Sequence, residues 1–229
     1  KLGKEVVLSA DNKWTHTFEK LAEKANGQEI HYSVKEVDVP EGYTVTEESK
    51  EKGDVVLTNT HTPSTVDIPV TKIWVDNDNQ DGLRPAKITV KLLANGGEVA
   101  RKDITSETDW KETFTGLPKF KDGKEIVYTL QEEKVENYSP SIDQESYTIT
   151  NTHTPGKTTL SVTKQWDDQE DKDGLRPKSV KVQLYADGKK SGEVIELSAE
   201  NKWTHTFADL DKNVKGKAIT YTVEEVDVP

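Results

Sequence analysis

The sequence repeats itself at a period long enough to build a domain and too long to be one turn of a solenoid. Leu8–Phe18 reads LSADNKWTHTF and Leu197–Phe207 reads LSAENKWTHTF. Val34–Pro40 reads VKEVDVP and Val223–Pro229 reads VEEVDVP. Lys72 and Lys164 each sit in VTK-x-W, followed by an acidic loop and DGLRP, and they are 92 residues apart. Asn59 and Asn151 each open NTHTP and are also 92 apart. The period predicts three units out of phase with the chain. Residues 1–63 carry the later part of one unit, 66–155 a complete unit, and 159–229 a further unit that stops before its last strands. The linkers between them, HTPST from His61 and HTPGKTT from His153, are short, which suits a rod of restricted joints.

Within the complete unit the apolar residues recur every second position, the period of a strand. Strands are predicted over 67–75, 87–94, 98–103, 109–115, 125–133 and 146–152. Asn95-Gly96-Gly97 and Asp122-Gly123 supply tight-turn chemistry between them. No window carries a helical stripe. About seven short strands per ninety residues predict an all-β chain of tandem β-sandwiches, with another antiparallel barrel as the alternative.

Composition agrees with small units. Hydrophobic and charged residues each make up 32% of the chain, too little apolar content for one large core. A net charge of −11 repels phosphate backbones and anionic lipid surfaces alike, so neither nucleic acid nor membrane is an expected partner. No apolar run is long enough to span a bilayer. The chain opens at Lys1 in what reads as mature sequence, so any targeting segment is expected outside it. Cysteine is absent, which excludes disulfides and thiolate metal sites. A thin-cored extracellular domain then needs some other staple.

Three polar residues lie in phase with the apolar face. Side chains two apart on a strand share a face. Val70, Lys72 and Trp74 form one such set, and Leu160, Val162, Lys164 and Trp166 form its counterpart. Tyr128, Leu130 and Glu132 share a face, as do Tyr221, Val223 and Glu225, and Tyr32, Val34 and Glu36. Tyr147, Ile149 and Asn151 share another, as do Leu57 and Asn59. Glu133, adjacent to Glu132, falls on the outer face. Burying a charge is costly unless it is paired or neutralised. One reading is a buried Lys–Glu ion pair with Asn as hydrogen-bond partner; another has Lys72 reaching water from a strand end. A third is chemical. Desolvation lowers a lysine pKa and raises that of a carboxylic acid, and a neutral amine is a nucleophile. Attack on the Asn carbonyl, with Glu moving the proton, expels ammonia and leaves a neutral amide between first and last strands.

These motifs closely resemble the Cna B-type repeat of Gram-positive surface adhesins and pilins. The carriers are VTK-x-W, the acidic loop with DGLRP, the ADG turn at Ala186, Tyr-Thr-x-x-Glu, the EGY at Glu41, and ITNTHTP, and they span essentially the whole chain. The resemblance implies a sandwich of inverse immunoglobulin type. It also implies a self-formed Lys–Asn isopeptide bond promoted by a core acid, with Lys72, Glu132 and Asn151 as the complete trio. The first partial unit then supplies Glu36 and Asn59, and the last supplies Lys164 and Glu225. Their missing partners are expected from a longer periodic array or, as the second choice, from head-to-tail pairing of molecules. The complete unit departs from the pattern at Glu136-Asn137-Tyr138, where the first has Glu41-Gly42-Tyr43.

Other signals are weaker. The acidic stretch from Asp76 to Gly82 resembles a calcium loop, but the twelfth position holds Lys87 or Ile88 where an EF-hand needs Glu. The five histidines lack metal-ligand spacing and read as strand residues, and neither metal nor cofactor is expected. No Ser/His/Asp set or paired carboxylates converge on loops, so the chain is not expected to be an enzyme on a separate substrate. The function expected is a cell-wall-anchored extracellular stalk of a Gram-positive surface adhesin. It would pack on neighbouring repeats and project a domain that binds a host ligand. The alternative is a module that itself binds host extracellular matrix.

Overall fold

The computed structural model describes residues 3–50 and 53–226; Asp227–Pro229, which close the VEEVDVP segment, lie outside the described residues. The chain divides into two compact units, Lys1–Thr62 and Pro63–Pro229.

In the first unit, β1 (Lys24–Ala25) and β2 (Gln28–Glu29) form a small hairpin, and β3 (Thr44–Ser49) pairs antiparallel with β4 (Val55–Thr60). None of its described residues is fully buried. Each ladder has only one neighbour, so its apolar side chains meet no opposing sheet.

The second unit opens with the long strand β5 (Thr65–Val75), then β6 (Lys87–Ala94), β7 (Gly97–Thr105) and β8 (Lys111–Pro118). A small hairpin of β9 (Phe120–Lys121) and β10 (Lys124–Glu125) follows, then β11 (Tyr128–Glu132), β12 (Ser139–Asp143) and β13 (Thr148–Thr152). Seven of these build two sheets, ordered β12-β13-β5-β8 and β11-β6-β7. All pairings are antiparallel except β13 with β5, the last strand against the first. The pleat explains the core. Ile68 and Val70 on β5, Ile88, Val90 and Leu92 on β6, Leu130 on β11 and Ile149 on β13 all point between the sheets and are buried. Asn95 and Gly96 both take positive φ, 50° and 86°, as a two-residue turn with the twist of its flanking strands requires.

The structure departs from the sequence expectation in several details. The strand expected over 146–152 starts at Thr148, because Ser146 and Tyr147 belong to the turn before it, Tyr147 with φ of 52°. The stretch 125–133 is split, because Val127 bonds the turn residue Asn95 through both its backbone groups. The strand expected from residue 109 starts at Lys111. A 3-10 turn (Ser106–Thr108) and left-handed Asp109 and Trp110 precede it. Strand β12, which contains Pro140, was not among the expected strands. It lies at the sheet edge, where a missing N–H costs nothing.

The remainder of the second unit repeats part of this plan. Strands β14 (Lys157–Thr163), β15 (Ser179–Ala186), β16 (Lys189–Ser198) and β17 (Thr204–Asp211) are followed by a hairpin of β18 (Asn213–Val214) and β19 (Lys217–Ala218), and then by β20 (Tyr221–Val226). The sheets are β14-β17 and β16-β15-β20, matching β5-β8 and β7-β6-β11. No described strand here corresponds to β12 or β13. Leu160 and Val162 on β14 are therefore only half-buried, where Ile68 and Val70 on β5 are buried. The core contracts to Val180, Val182 and Leu197 with partly covered neighbours.

Candidate functional site

The least expected contents of the central core are charged. Lys72 lies on β5 and Asn151 on β13, and the parallel register sets Lys72 opposite Ile149 and Asn151 opposite Trp74. The two polar side chains are thus diagonal neighbours on one inner face. Glu132 comes from β11 in the facing sheet, the last residue of that strand. The Lys72 Nζ sits 3.0 Å from Glu132 Oε1, with side chains 0% and 3% exposed. The Asn151 Nδ2 donates to the same Glu132 Oε1 at 3.1 Å, and Asn151 is 0% exposed. Amine and carboxamide therefore converge on one carboxylate oxygen. Asn151 Oδ1 and Trp74 Nε1 are buried without a hydrogen-bond partner.

Burial dominates the electrostatics. Desolvation pulls the Lys72 amine down to about 8, against the hydrogen-bonding and charge of Glu132, which raise it. Trp74, next but one on β5, places its ring 4.5 Å from the ammonium and shields it from water. Rings of Trp110 and Tyr138 stand edge-on to Trp74 at 5.1 and 4.9 Å. Glu133 points outward, 44% exposed, near Lys91 and Arg101.

The other sequence-predicted residues come together in pairs. Lys164 Nζ lies 2.9 Å from Glu225 Oε2, with Trp166 at 4.5 Å from the amine. Both side chains are about a quarter exposed, at 26% and 22%, and Glu225 Oε1 is buried without a partner. In the first unit, Asn59 Nδ2 donates to Glu36 Oε1 at 2.9 Å, on an exposed ladder.

A second buried charge escaped the sequence reading. Asp76 is 3% exposed at the end of β5. Arg84, from the DGLRP run, grips it with two prongs, Nη2 to Oδ1 at 2.6 Å and Nε to Oδ2 at 3.1 Å. Tyr138 donates its hydroxyl to Oδ2 at 2.8 Å and the Asn79 N–H donates to Oδ1 at 3.0 Å. Burial pushes the carboxyl up, but these donors outweigh it and hold it at about 2. Arg176 grips Asp168 in the same way. The recurrence of DGLRP at a fixed distance behind an aspartate was the available signal. Both oxygens of Asp76 are taken, so the acidic loop is an ion-paired turn. Among the described residues no three His, Asp or Glu side chains are grouped to hold a metal ion.

The model of the Cna protein B-type domain matches residues 1–60, 68–152 and 160–229. The chain belongs to the Cna B-type domain family. It is similar to a protein of Staphylococcus aureus named collagen adhesin, at 47% identity over 224 residues. That alignment takes in 98% of this chain and 19% of the adhesin. It is also similar to the crystal structure of two B repeat units of the Staphylococcus aureus collagen binding protein, at 47% identity with a TM-score of 0.59. That match covers 96% of this chain and 59% of the other. A single B repeat unit of the same protein is 48% identical, with 72% of this chain and 87% of that one covered and a TM-score of 0.39. The relatives are adhesin repeats, and the Cna B-type sandwich is the fold of this chain.

Proposed function

We propose that the chain is a run of stalk repeats from an extracellular, cell-wall-anchored adhesin, each repeat tied by a bond its own side chains make. The division is one partial repeat over 1–63, a complete repeat over 66–155, and a further partial repeat over 159–229. In the complete repeat the lone pair of Lys72 Nζ attacks Cγ of Asn151, the Cγ–Nδ2 bond breaks, and ammonia leaves. One proton must travel from Nζ to Nδ2. The observation that carries the reading is that Glu132 Oε1 is within 3.1 Å of both atoms, the source and the destination of that proton. An amine at about 8 is partly neutral at physiological pH, as a nucleophile must be. Fixed geometry makes the step unimolecular, and the buried charges are replaced by a neutral amide.

The pairs Lys164–Glu225 and Glu36–Asn59 each hold two of the three groups. A longer array supplies the third, which the 19% coverage of the adhesin favours over head-to-tail joining of separate molecules. The host ligand is bound by a domain outside this sequence. The chain turns over no separate substrate; bond formation is a single event per repeat.

Load entering at β5 and leaving at β13 would pass through the amide, leaving the strands between them unstretched. Single-molecule pulling tests this. The complete repeat should resist extension at forces that unfold ordinary sandwiches, and Lys72→Ala should lengthen under the same load. Equal extension of both would refute the proposal.

A further inference from the structure

The contact between the complete repeat and the one after it turns on a single carboxylate. Asp81 lies in the acidic loop between β5 and β6, and its side chain is 8% exposed. Its Oδ2 accepts from the Gly156 N–H at 2.9 Å and faces His153 Nε2 at 2.9 Å, both in the linker after β13. Its Oδ1 accepts from Asn213 Nδ2 of the following repeat at 3.1 Å. Backbone bonds flank this hub: the Gly216 N–H donates to Gln80 O and the Lys212 N–H to Gly156 O, each at 3.0 Å. Between them Gly82 and Gly216 touch backbone to backbone, and a Cβ on Gly82 would come within 2.5 Å of Gly216 Cα.

His153 decides the charge state of the joint. Its Nδ1 faces the Asn137 carbonyl oxygen at 2.9 Å while its Nε2 faces the Asp81 carboxylate. Both neighbours accept, and a neutral imidazole has one N–H. Only the imidazolium satisfies both. The ring is 15% exposed and stands 5.5 Å from the Tyr138 ring.

We propose that Asp81 and His153 make an ionisation-controlled joint, a docking surface for the β18–β19 hairpin of the next repeat that locks when His153 is protonated and loosens when it is neutral. The surrounding groups favour the proton. From the complete repeat, Asp81 faces the ring and Asp76 adds a further negative charge, itself neutralised by Arg84 and bound by the Tyr138 hydroxyl. From the next repeat, Asp211 lies near Asp81 but is paired with Lys157 at 2.5 Å, and the Lys212 side chain passes Gly156. The hydrogen bond to Asp81 raises His153 above 6.5, and the same bond lowers Asp81 below 3.8. With its pKa raised by this bond, His153 holds the Asp81 loop to the linker fully below 6.5 and loses that contribution as pH rises through its raised value. The carboxylate contributes above 3.8 and loses its part as pH falls below that. The lock is therefore tightest between 3.8 and 6.5. Above 6.5, each pH unit up to the raised value weakens the Asp81–His153 contact, which sets the surface the next repeat docks on, by up to about tenfold. The loop of the last repeat carries the same Asp-Gly pair at Asp173-Gly174, so it presents the same acceptor to a further neighbour.

The chain has no cysteine, so spin labels can be placed at will. Val99→Cys and Val194→Cys, both exposed, put one label on each repeat. The inter-label distance distribution should be narrow near about pH 5.5 and lose that narrowness near about pH 8.5. Its midpoint should coincide with the titration of the His153 ring read by NMR. Asp81→Asn should return that titration to about 6.5. His153→Gln should give a broad distribution at both pH values with unchanged far-ultraviolet circular dichroism. A wild-type distribution that is unchanged between the two pH values, or a pH response that survives His153→Gln, overturns the proposal.

Discussion

Replacing Lys72 by methionine removes the amine while keeping an unbranched chain of similar length in the space beside Trp74. The proposed bond closes a loop of 80 residues, from Lys72 to Asn151. Treating it as a cross-link on the unfolded chain, the lost loop entropy corresponds to about 4.5 kcal/mol. A domain of this size moves by roughly 4–8 °C per kcal/mol, so the complete repeat should melt about 18–36 °C lower in the variant. Intact mass spectrometry reads the chemistry directly. The wild-type protein should be lighter than its sequence by one ammonia, and a proteolytic digest should contain one branched species joining the peptides that hold residues 72 and 151. Lys72→Met should show neither. Losing the Lys72–Glu132 ion pair alone also destabilises, so Asn151→Ala serves as the control: it keeps the pair and cannot condense. Both variants should lose the mass deficit and most of the thermal stability together. A wild-type mass equal to the full sequence would refute the reasoning. So would an Asn151→Ala protein that melts with the wild type while Lys72→Met does not, since the ion pair would then carry the effect.

Two further outcomes follow from the buried charges. In Asn151→Ala the amine stays free at about 8 against 10.5 for an ordinary lysine, so the folded state binds fewer protons than the unfolded state between those values. Its melting temperature should rise from pH 8 to 10.5, and a flat profile would argue against a desolvated amine. Asp76, held at about 2 against 3.8, stabilises the fold above 3.8 and loses that contribution as pH falls towards 2. Asp76→Asn should cost roughly 2–4 kcal/mol in urea unfolding at neutral pH and flatten the acid limb; an unchanged acid limb would place the sensitivity elsewhere.

What the sequence revealed and what it hid are visible in one pair of segments. LSADNKWTHTF and LSAENKWTHTF differ at a single position. Both make the same turn: Lys13 and Trp14 have φ of 55° and 60°, and Lys202 and Trp203 have 57° and 60°. In both, an Asn side-chain oxygen accepts from the serine N–H three residues earlier. Only the second continues into strands, β16 and β17, because β15 and β14 lie beside them. Trp203 packs on a core, whereas Trp14 is 68% exposed. Turns are written locally; ladders need a neighbour. The inward phase of Lys72, Glu132 and Asn151 was readable for the same reason, since alternation is local. That two of them meet one oxygen of the third was not, because it depends on the parallel register of β13 on β5. Asp76 was read only as part of an acidic turn, because the partners that bury its charge, Arg84 and Tyr138, are 8 and 62 positions away. His153 was read as an ordinary strand residue, and only the arrival of the Asp81 loop gives its ring two acceptors.

Lys72, Glu132 and Asn151 stand on β5, β11 and β13, in two different sheets, and a collapsed but unpaired chain holds none of them at its neighbour's reach. Condensation would then act as an inspection stamp, applied after assembly and never before. On the proposed reading, an exported molecule that misfolds would keep its ammonia and stay open to proteases. One that folds correctly even once would be fixed in that state, a ratchet that turns transient success into permanent structure without a chaperone or an energy source.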